Sequence, residues 1–194
     1  MKSTTAKRGF TLLELTLTLA CIGVIAAIAV PPIMQTVNAF RLRSSAASLA
    51  ALIQETRMLA VRDNKIYTMR STAIGQVSLF YVDLDQNSTY RTGEEPVQLA
   101  QTVQIIPESQ APKPLPVTGG YAQDATDPVS FNLRGLPCQL SSPTVCSTLP
   151  NGNQIGFVYY LMGTTSIGPA YYKAVSVTPA GRVRIWSYSG GAWL

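Results

Sequence analysis

Few side chains in this sequence could do chemistry, and their types narrow the options. The chain has no histidine, so it lacks the commonest general base and the commonest transition-metal ligand. It has three cysteines, Cys21, Cys138 and Cys146. No nucleophile elbow and no clear carboxylate pair is present, so catalytic or zinc chemistry has little support. We therefore expect a protein that is not an enzyme.

The segment DLDQNSTYRTGE is the closest approach to a metal site. Four oxygen-bearing side chains fall at positions 1, 3, 5 and 12 of an EF-hand calcium loop: Asp83, Asp85, Asn87 and Glu94. However, Ser88 replaces the usual glycine, the cation Arg91 occupies position 9, and the flanks are strand-like. The alternative is a hairpin turn whose side chains cap backbone amides. We expect no cofactor, with calcium at these four residues as the open alternative.

The C-terminal third is basic and aromatic. No acidic residue follows Asp127, and the basic residues there are Arg134, Lys173, Arg182 and Arg184. On a strand, Arg182 and Arg184 would project from one face, next to several aromatic residues. Such a face suits a phosphate backbone and stacked bases, so DNA is a candidate partner. The alternative is that these arginines only keep an outer sheet face soluble.

The N-terminal stretch 10–30 is apolar, small or threonine at every position except Glu14. As a helix it would extend about 30 Å, the hydrocarbon thickness of a bilayer. Lys2, Lys7 and Arg8 precede it, which predicts a cytoplasmic N-terminus and an exported remainder. A plain signal anchor is one alternative, and a cleaved signal peptide would need a small-residue site after the apolar run. Neither explains a carboxylate in a membrane span, where it costs a few kcal/mol.

The stretch KRGFTLLEL resembles the leader of type IV prepilins and type II secretion pseudopilins. The resemblance implies cleavage by prepilin peptidase between Gly9 and Phe10, followed by N-methylation of Phe10. It also implies that Glu14 pairs with the free amine of a neighbouring subunit's Phe10 during assembly, instead of snorkelling without a partner. Pro31 and Pro32 resemble the helix-interrupting proline of the family and are expected to bend or loosen the helix.

The remaining pattern predicts an α+β protein, with a long N-terminal α-helix packed on a mostly antiparallel β-sheet head. Apolar residues keep helical spacing to Arg62, and Asp63-Asn64 is the expected stop. Seven stretches rich in β-branched and aromatic residues are expected strands: 65–72, 76–84, 97–106, 129–135, 155–162, 171–178 and 182–188. The proline-rich stretch 108–128 is an expected exposed loop. The expected divisions are 1–9 leader, 10–31 transmembrane helix, 32–62 periplasmic amphipathic helix and 63–194 globular head.

The head resembles the GspH/FimT group of minor pseudopilins and minor pilins in the stretches FYVDLDQNSTYRTGEEPV, VSFNLRGLPC and VTPAGRVRIW. The resemblance implies a structural subunit of a type IV pilus or type II secretion pseudopilus, at or near its tip. Its partners would be prepilin peptidase, other pilins or pseudopilins, the assembly platform and inner-membrane lipid. The alternative is a DNA-binding minor pilin for natural transformation, using Arg182 and Arg184 of the Gly-Arg-x-Arg stretch.

The expected location is the inner membrane, crossed once, with the head periplasmic before assembly. Export to an oxidising compartment favours a disulfide between Cys138 and Cys146, with two free thiols as the alternative. Cys21 lies in the apolar stretch and is expected to act only as a small apolar residue. A membrane-tethered periplasmic enzyme is the remaining, disfavoured alternative, because the residues for catalysis are missing.

Overall fold

The computed structural model describes residues 10–75, 77–91, 93–117, 121–122, 128–142, 145–147, 155–164 and 169–194. Its contacts divide the chain into two compact units, 1–37 and 38–194, and each is described by itself. Every buried residue of the described chain lies in the second unit, starting at Leu42. The second unit therefore contains its own hydrophobic core.

One helix, α1, covers Leu12–Asp63, and its first part belongs to the first unit. This part is long and apolar enough to cross a membrane by length and composition, and its apolar side chains are exposed. The hydroxyls of Thr16 and Thr18 donate to the carbonyls of Leu13 and Leu15, so these polar groups are satisfied within the helix. Pro31 and Pro32 lie inside the helix, and the bend expected there stays a prediction.

In the second unit, α1 turns one face towards the core. The buried positions recur every three or four residues, as a helix packed on one side requires: Leu42, Ser45, Ala46, Leu49, Ala50, Leu52, Ile53, Thr56 and Ala60. The helix ends where the sequence predicts. Asn64 adopts a left-handed backbone conformation with φ 52°, and the N–H of Lys65 donates to the carbonyl of Ala60, a Schellman-type C-cap.

Twelve strands follow in the described part of the chain. In chain order they are β1 Tyr67–Ile74, β2 Val77–Asp83, β3 Val97–Gln98, β4 Val103–Ile106, β5 Tyr121–Ala122, β6 Val129–Phe131, β7 Pro137–Ser142, β8 Val145–Ser147, β9 Gly156–Gly163, β10 Tyr171–Val177, β11 Val183–Ser189 and β12 Ala192–Trp193. They form two sheets of six strands, with orders β3-β2-β1-β6-β7-β8 and β12-β11-β10-β9-β4 plus β5 on β9. All pairs are antiparallel except β5 with β9. The α+β class predicted from the sequence is confirmed, with two sheets where one was expected.

The second sheet is covered on both faces, which explains why β9 is buried along nearly its whole length. Phe157, Tyr159 and Leu161 join the core cluster that includes the helix residues. The alternate residues Val158 and Tyr160 join a second cluster on the opposite face, where Trp193 is also buried. Strand residues alternate between faces, so one strand supplies both clusters.

Two expectations about 97–128 are wrong in detail. The stretch 97–106 is not one strand, because a turn closed by the Val103 N–H on the Ala100 carbonyl separates β3 from β4, and these lie in different sheets. The stretch 108–128 is not simply an exposed loop. Leu115 is 3% exposed within the second cluster, and its N–H donates to the Tyr160 hydroxyl. Residues 118–120 and 123–127 lie outside the described residues.

Candidate functional site

The N-terminal site lies at the first turn of α1. Gly9 falls outside the described residues, while Phe10 precedes the helix and is 79% exposed. Thr11 is the N-cap, and its Oγ1 accepts the N–H of Glu14 at 3.3 Å. Thr-x-x-Glu is the pattern of a capping box, in which a glutamate side chain also favours the positive end of the helix dipole. Sequence reasoning did not identify Thr11 as this N-cap, although the Thr-x-x-Glu pattern indicates it.

The Glu14 side chain is exposed in the single chain, as are its apolar neighbours along the helix. A carboxylate in such a surface can accept a cation from another molecule. In lipid it would need one, because a lone charge there is costly and a paired one is tolerated. The first unit therefore offers an anionic group one helical turn from Phe10, on a helix able to cross a membrane.

The acidic loop after β2 brings three carboxylates together. Oxygens of Asp83, Asp85 and Glu94 lie within 4.8 Å of one another. Asp83 is 1% exposed and receives the Arg70 Nε at 2.7 Å. Its two oxygens also accept the backbone N–H groups of Asn87 at 3.2 Å and Ser88 at 3.0 Å. The structure therefore contains the alternative predicted from the sequence, a turn whose acidic side chains cap backbone amides.

Glu94 has the same role on the other side of the loop. Its two carboxylate oxygens accept the N–H groups of Leu84 and Arg91, both at 3.0 Å. Burial, and then the charge of Asp83, raises the pKa of the Tyr81 hydroxyl next to this loop. Carboxylate and amide oxygens are the type of ligand that calcium prefers. However, every oxygen of the two buried carboxylates, Asp83 and Glu94, already accepts an N–H. Calcium binding at Asp83, Asp85, Asn87 and Glu94 stays a prediction.

The C-terminal basic residues do not form one cluster of exposed side chains on a single strand. Arg182 precedes β11, whereas Arg184 lies within it and holds its guanidinium carbon 4.7 Å from the Trp186 ring centroid. Both arginines are exposed. Lys173 is only partly exposed: its Nζ donates to the Ser187 Oγ at 2.6 Å, and burial, followed by the charge of Arg43, lowers its pKa.

Arg57 on α1 links two turns that are far apart in sequence. The sequence analysis predicted no role for this residue. Its Nε donates to the Gly135 carbonyl at 3.0 Å and its Nη1 to the Gly181 carbonyl at 2.9 Å. Both glycines have left-handed backbone conformations, with φ 72° and 78°. A Cβ on Gly181 would lie 2.6 Å from the Gly135 oxygen, so the two turns meet at glycine positions.

The cysteine prediction is confirmed for the pair in the head. Cys138 and Cys146 form a disulfide across the β7–β8 hairpin, with their Cα atoms 5.3 Å apart. Neither strand was expected from the sequence, because proline and serine dominate this stretch. Cys21 is a free, exposed thiol on the apolar part of α1.

Comparison with known proteins adds two findings. Residues 4–30 match the family model described as the prokaryotic N-terminal methylation motif. The chain is 36% identical over 90 residues to the pilin-like protein PilA1 of Thermus thermophilus, covering 46% of this chain and 56% of the relative. The chain thus matches only about half the length of this curated relative. No solved structure matches the chain.

The fold and the N-terminal site define a class: α+β proteins whose long first helix begins in a prepilin-type methylation motif. Within it, the chain is similar to type IV pilin-like proteins, in the methylation motif and in the half of the Thermus protein that it matches. The motif overlaps the start of a helix that is long and apolar enough to cross a membrane.

Proposed function

We propose that the chain is a minor pilin or pseudopilin of the GspH/FimT kind. It is inserted once in the inner membrane with its N-terminus cytoplasmic and its head periplasmic, cleaved between Gly9 and Phe10, and N-methylated on Phe10. It is then assembled at or near the tip of a type IV pilus or type II secretion pseudopilus. Its role is structural, and pilins as a family are structural and non-enzymatic.

The observation that supports this proposal most is the position of Glu14. It is an exposed carboxylate in an apolar helix, four residues after Phe10, within the stretch that matches the methylation motif. Cleavage after Gly9 would create a new amine at Phe10. A neighbouring subunit could then supply this cation to Glu14, and the cost of a lone charge in lipid would be offset only in the assembled filament.

Processing is tested by mass spectrometry of the protein isolated from membranes of the native host. We expect the first residue to be Phe10 carrying one methyl group, and we expect Gly9→Val to leave the leader attached. Gly23→Val is the matched control, since a Cβ at Gly23 meets nothing within 4 Å. An unmodified chain that retains residues 1–9 in the presence of active prepilin peptidase would contradict the proposal.

DNA binding by a minor pilin for natural transformation is a second candidate function. It is favoured by one observation, the exposed guanidinium of Arg184 beside the Trp186 ring. A gel shift at low salt, where phosphate contacts are strongest, tests it with Arg182→Gln and Arg184→Gln. Binding that weakens in both variants would support DNA as a ligand, and no binding by the parent protein would remove this function.

A further inference from the structure

An open cleft of about 650 Å³ lies between the last turns of α1 and the turn that joins β10 to β11. We call it the cationic cleft. Six of the residues that line it are Arg57, Met58, Val61, Arg62, Arg182 and Val183. All of them belong to the second unit, and none is used by the N-terminal site.

Among the described residues, two of the three guanidiniums that line this cleft have no carboxylate partner. Arg62 is paired with the neighbouring Asp63, with 2.7 Å between Nε and Oδ1. By contrast, no carboxylate of the described residues lies within 4.0 Å of the Arg57 or Arg182 guanidinium. Glu55 is two positions from Arg57 on the helix, about 200° around the axis, so it projects away from the cleft.

Arg57 keeps donor capacity although it is held in place. A guanidinium has five N–H groups, and two donor atoms of Arg57 reach the Gly135 and Gly181 carbonyls. Those two bonds orient the guanidinium plane before any ligand arrives. Arg182 is exposed, and in its hydrogen bonds with Thr178 it uses only its backbone: its carbonyl accepts the Thr178 N–H and its N–H donates to the Thr178 Oγ1. One oriented and one exposed guanidinium at the same cleft suit a carboxylate, which accepts paired N–H donors.

The apolar side chains that line the cationic cleft indicate a second property of its ligand. Met58 and Val61 are large apolar side chains, 64% and 52% exposed, and Val183 lines the opposite side. An extended nucleic-acid backbone would make no use of these apolar groups. A short peptide segment that places a carboxylate beside an apolar side chain would use both the guanidiniums and the walls.

We propose that the cationic cleft binds an acidic peptide segment of a neighbouring subunit, with a Glu or Asp carboxylate between Arg57 and Arg182 and an apolar side chain against Met58 and Val61. This rests on the proposed function in one respect, that neighbouring subunits exist. It assigns Arg182 to a protein contact and leaves Arg184, stacked on Trp186, outside the site.

The test uses the full chain in a non-ionic detergent and a fluorescein-labelled peptide, acetyl-Gly-Glu-Glu-Leu-Gly-amide, followed by fluorescence anisotropy. The same peptide with both glutamates replaced by glutamine is the ligand control. Arg182→Gln is the test variant and Arg184→Gln the matched control, because both side chains are exposed on one hairpin. We expect about tenfold weaker binding for Arg182→Gln, the loss of one charge-assisted contact, and unchanged binding for Arg184→Gln.

Three outcomes would contradict peptide binding at the cationic cleft. Absence of binding by the parent chain, equal binding of the glutamine peptide, or an equal loss in both arginine variants would overturn the proposal. A duplex DNA probe that binds the parent when the acidic peptide does not would assign the arginines to nucleic acid instead. Filament incorporation of the Arg182→Gln chain is scored separately. Loss of peptide binding would therefore contradict the proposed cleft without contradicting the proposed function. Loss of filament assembly with intact peptide binding would do the opposite.

Discussion

Arg57 connects three parts of the second unit through one side chain. It extends from α1 to the carbonyls of Gly135, in the turn before β7, and Gly181, in the turn before β11. Both turns occur in stretches on which the prediction of a GspH/FimT-like head depends. The sequence shows the glycines as turn residues, but it gives no sign that a helix arginine meets them. That contact depends on tertiary packing between residues separated by 78 and 124 positions.

Gly181→Ala should destabilise the head more than an ordinary glycine replacement. The left-handed backbone alone costs about 1–2 kcal/mol for a residue with a Cβ, and the 2.6 Å approach to the Gly135 oxygen adds overpacking. We expect a loss of about 2–4 kcal/mol in the free energy of unfolding, measured by urea denaturation of residues 38–194.

Gly190→Ala provides the control, since Gly190 also has a positive φ, 60°, but a Cβ there meets nothing within 4 Å. Its expected loss is the backbone cost alone, about 1–2 kcal/mol. Equal losses for the two variants would show that the close approach of the turns has no energetic consequence.

Asp83 is the second residue with a large expected effect. Asp83→Ala removes acceptors from two backbone N–H groups and leaves Arg70 without its partner at a largely buried position. We expect a loss of about 3–5 kcal/mol in the free energy of unfolding. Asp85→Ala, at a 42% exposed side chain, should change it by less than about 1 kcal/mol.

Calcium chloride added to the same unfolding experiment tests the metal alternative. Stabilisation of the parent that disappears in the double variant Asp83→Ala, Asp85→Ala would indicate a site. An unchanged parent would leave the acidic loop with amide capping as its role.

At the scale of elements, sequence patterns predict α1 and most strands well. Alternating β-branched and aromatic residues mark β9, β10 and β11, and helical spacing continues to a recognisable stop at Asn64. The predictions are wrong where the periodic pattern of apolar residues is weak. The strands β7 and β8 were not predicted because their stretch contains proline and serine, and residues 97–106 were predicted as one strand although they contribute to two sheets.

The segment before β5 illustrates the same limit. Its prolines suggest exposure, yet Leu115 is buried because a second cluster covers the outer face of the second sheet. A half-exposed sheet was the simpler expectation for an antiparallel head. The composition of a short segment cannot show that a distant tryptophan, Trp193, will donate its Nε1–H to the Lys113 carbonyl.

Trp193→Ala should test the contribution of this second cluster. The side chain is 7% exposed, lies 5.8 Å from the Tyr160 ring and 5.2 Å from the Tyr188 ring, and bonds to the 107–117 segment. We expect a loss of about 3–5 kcal/mol in unfolding free energy. The adjacent Leu194→Ala, at a 74% exposed position, should have little effect. A small effect of Trp193→Ala would mean that the cluster contributes little to the stability of the head.

At the scale of the whole molecule, the proposed account gives the two units separate tasks. The first unit supplies an apolar helix with one carboxylate near its start, and the second supplies a head with its own core. In the proposed filament, Glu14 would meet the amine of a neighbouring Phe10, and the head would make lateral contacts. Sequence alone predicts the N-terminal motif because its residues are consecutive. The cationic cleft combines residues from α1 and a distant turn, so only the fold brings it together.

The central claim is that the charge of Glu14 is needed for assembly, and Glu14→Gln tests it most directly. Glutamine also serves in a capping box, so this variant keeps the helix start while it removes the charge. Thr11→Ala is the control that weakens the cap and keeps the charge. The measurement is the fraction of processed, membrane-inserted protein recovered in sheared filaments of the native host. We predict that Glu14→Gln is processed normally but largely absent from filaments, while Thr11→Ala is incorporated. Normal incorporation of Glu14→Gln would contradict the pairing account.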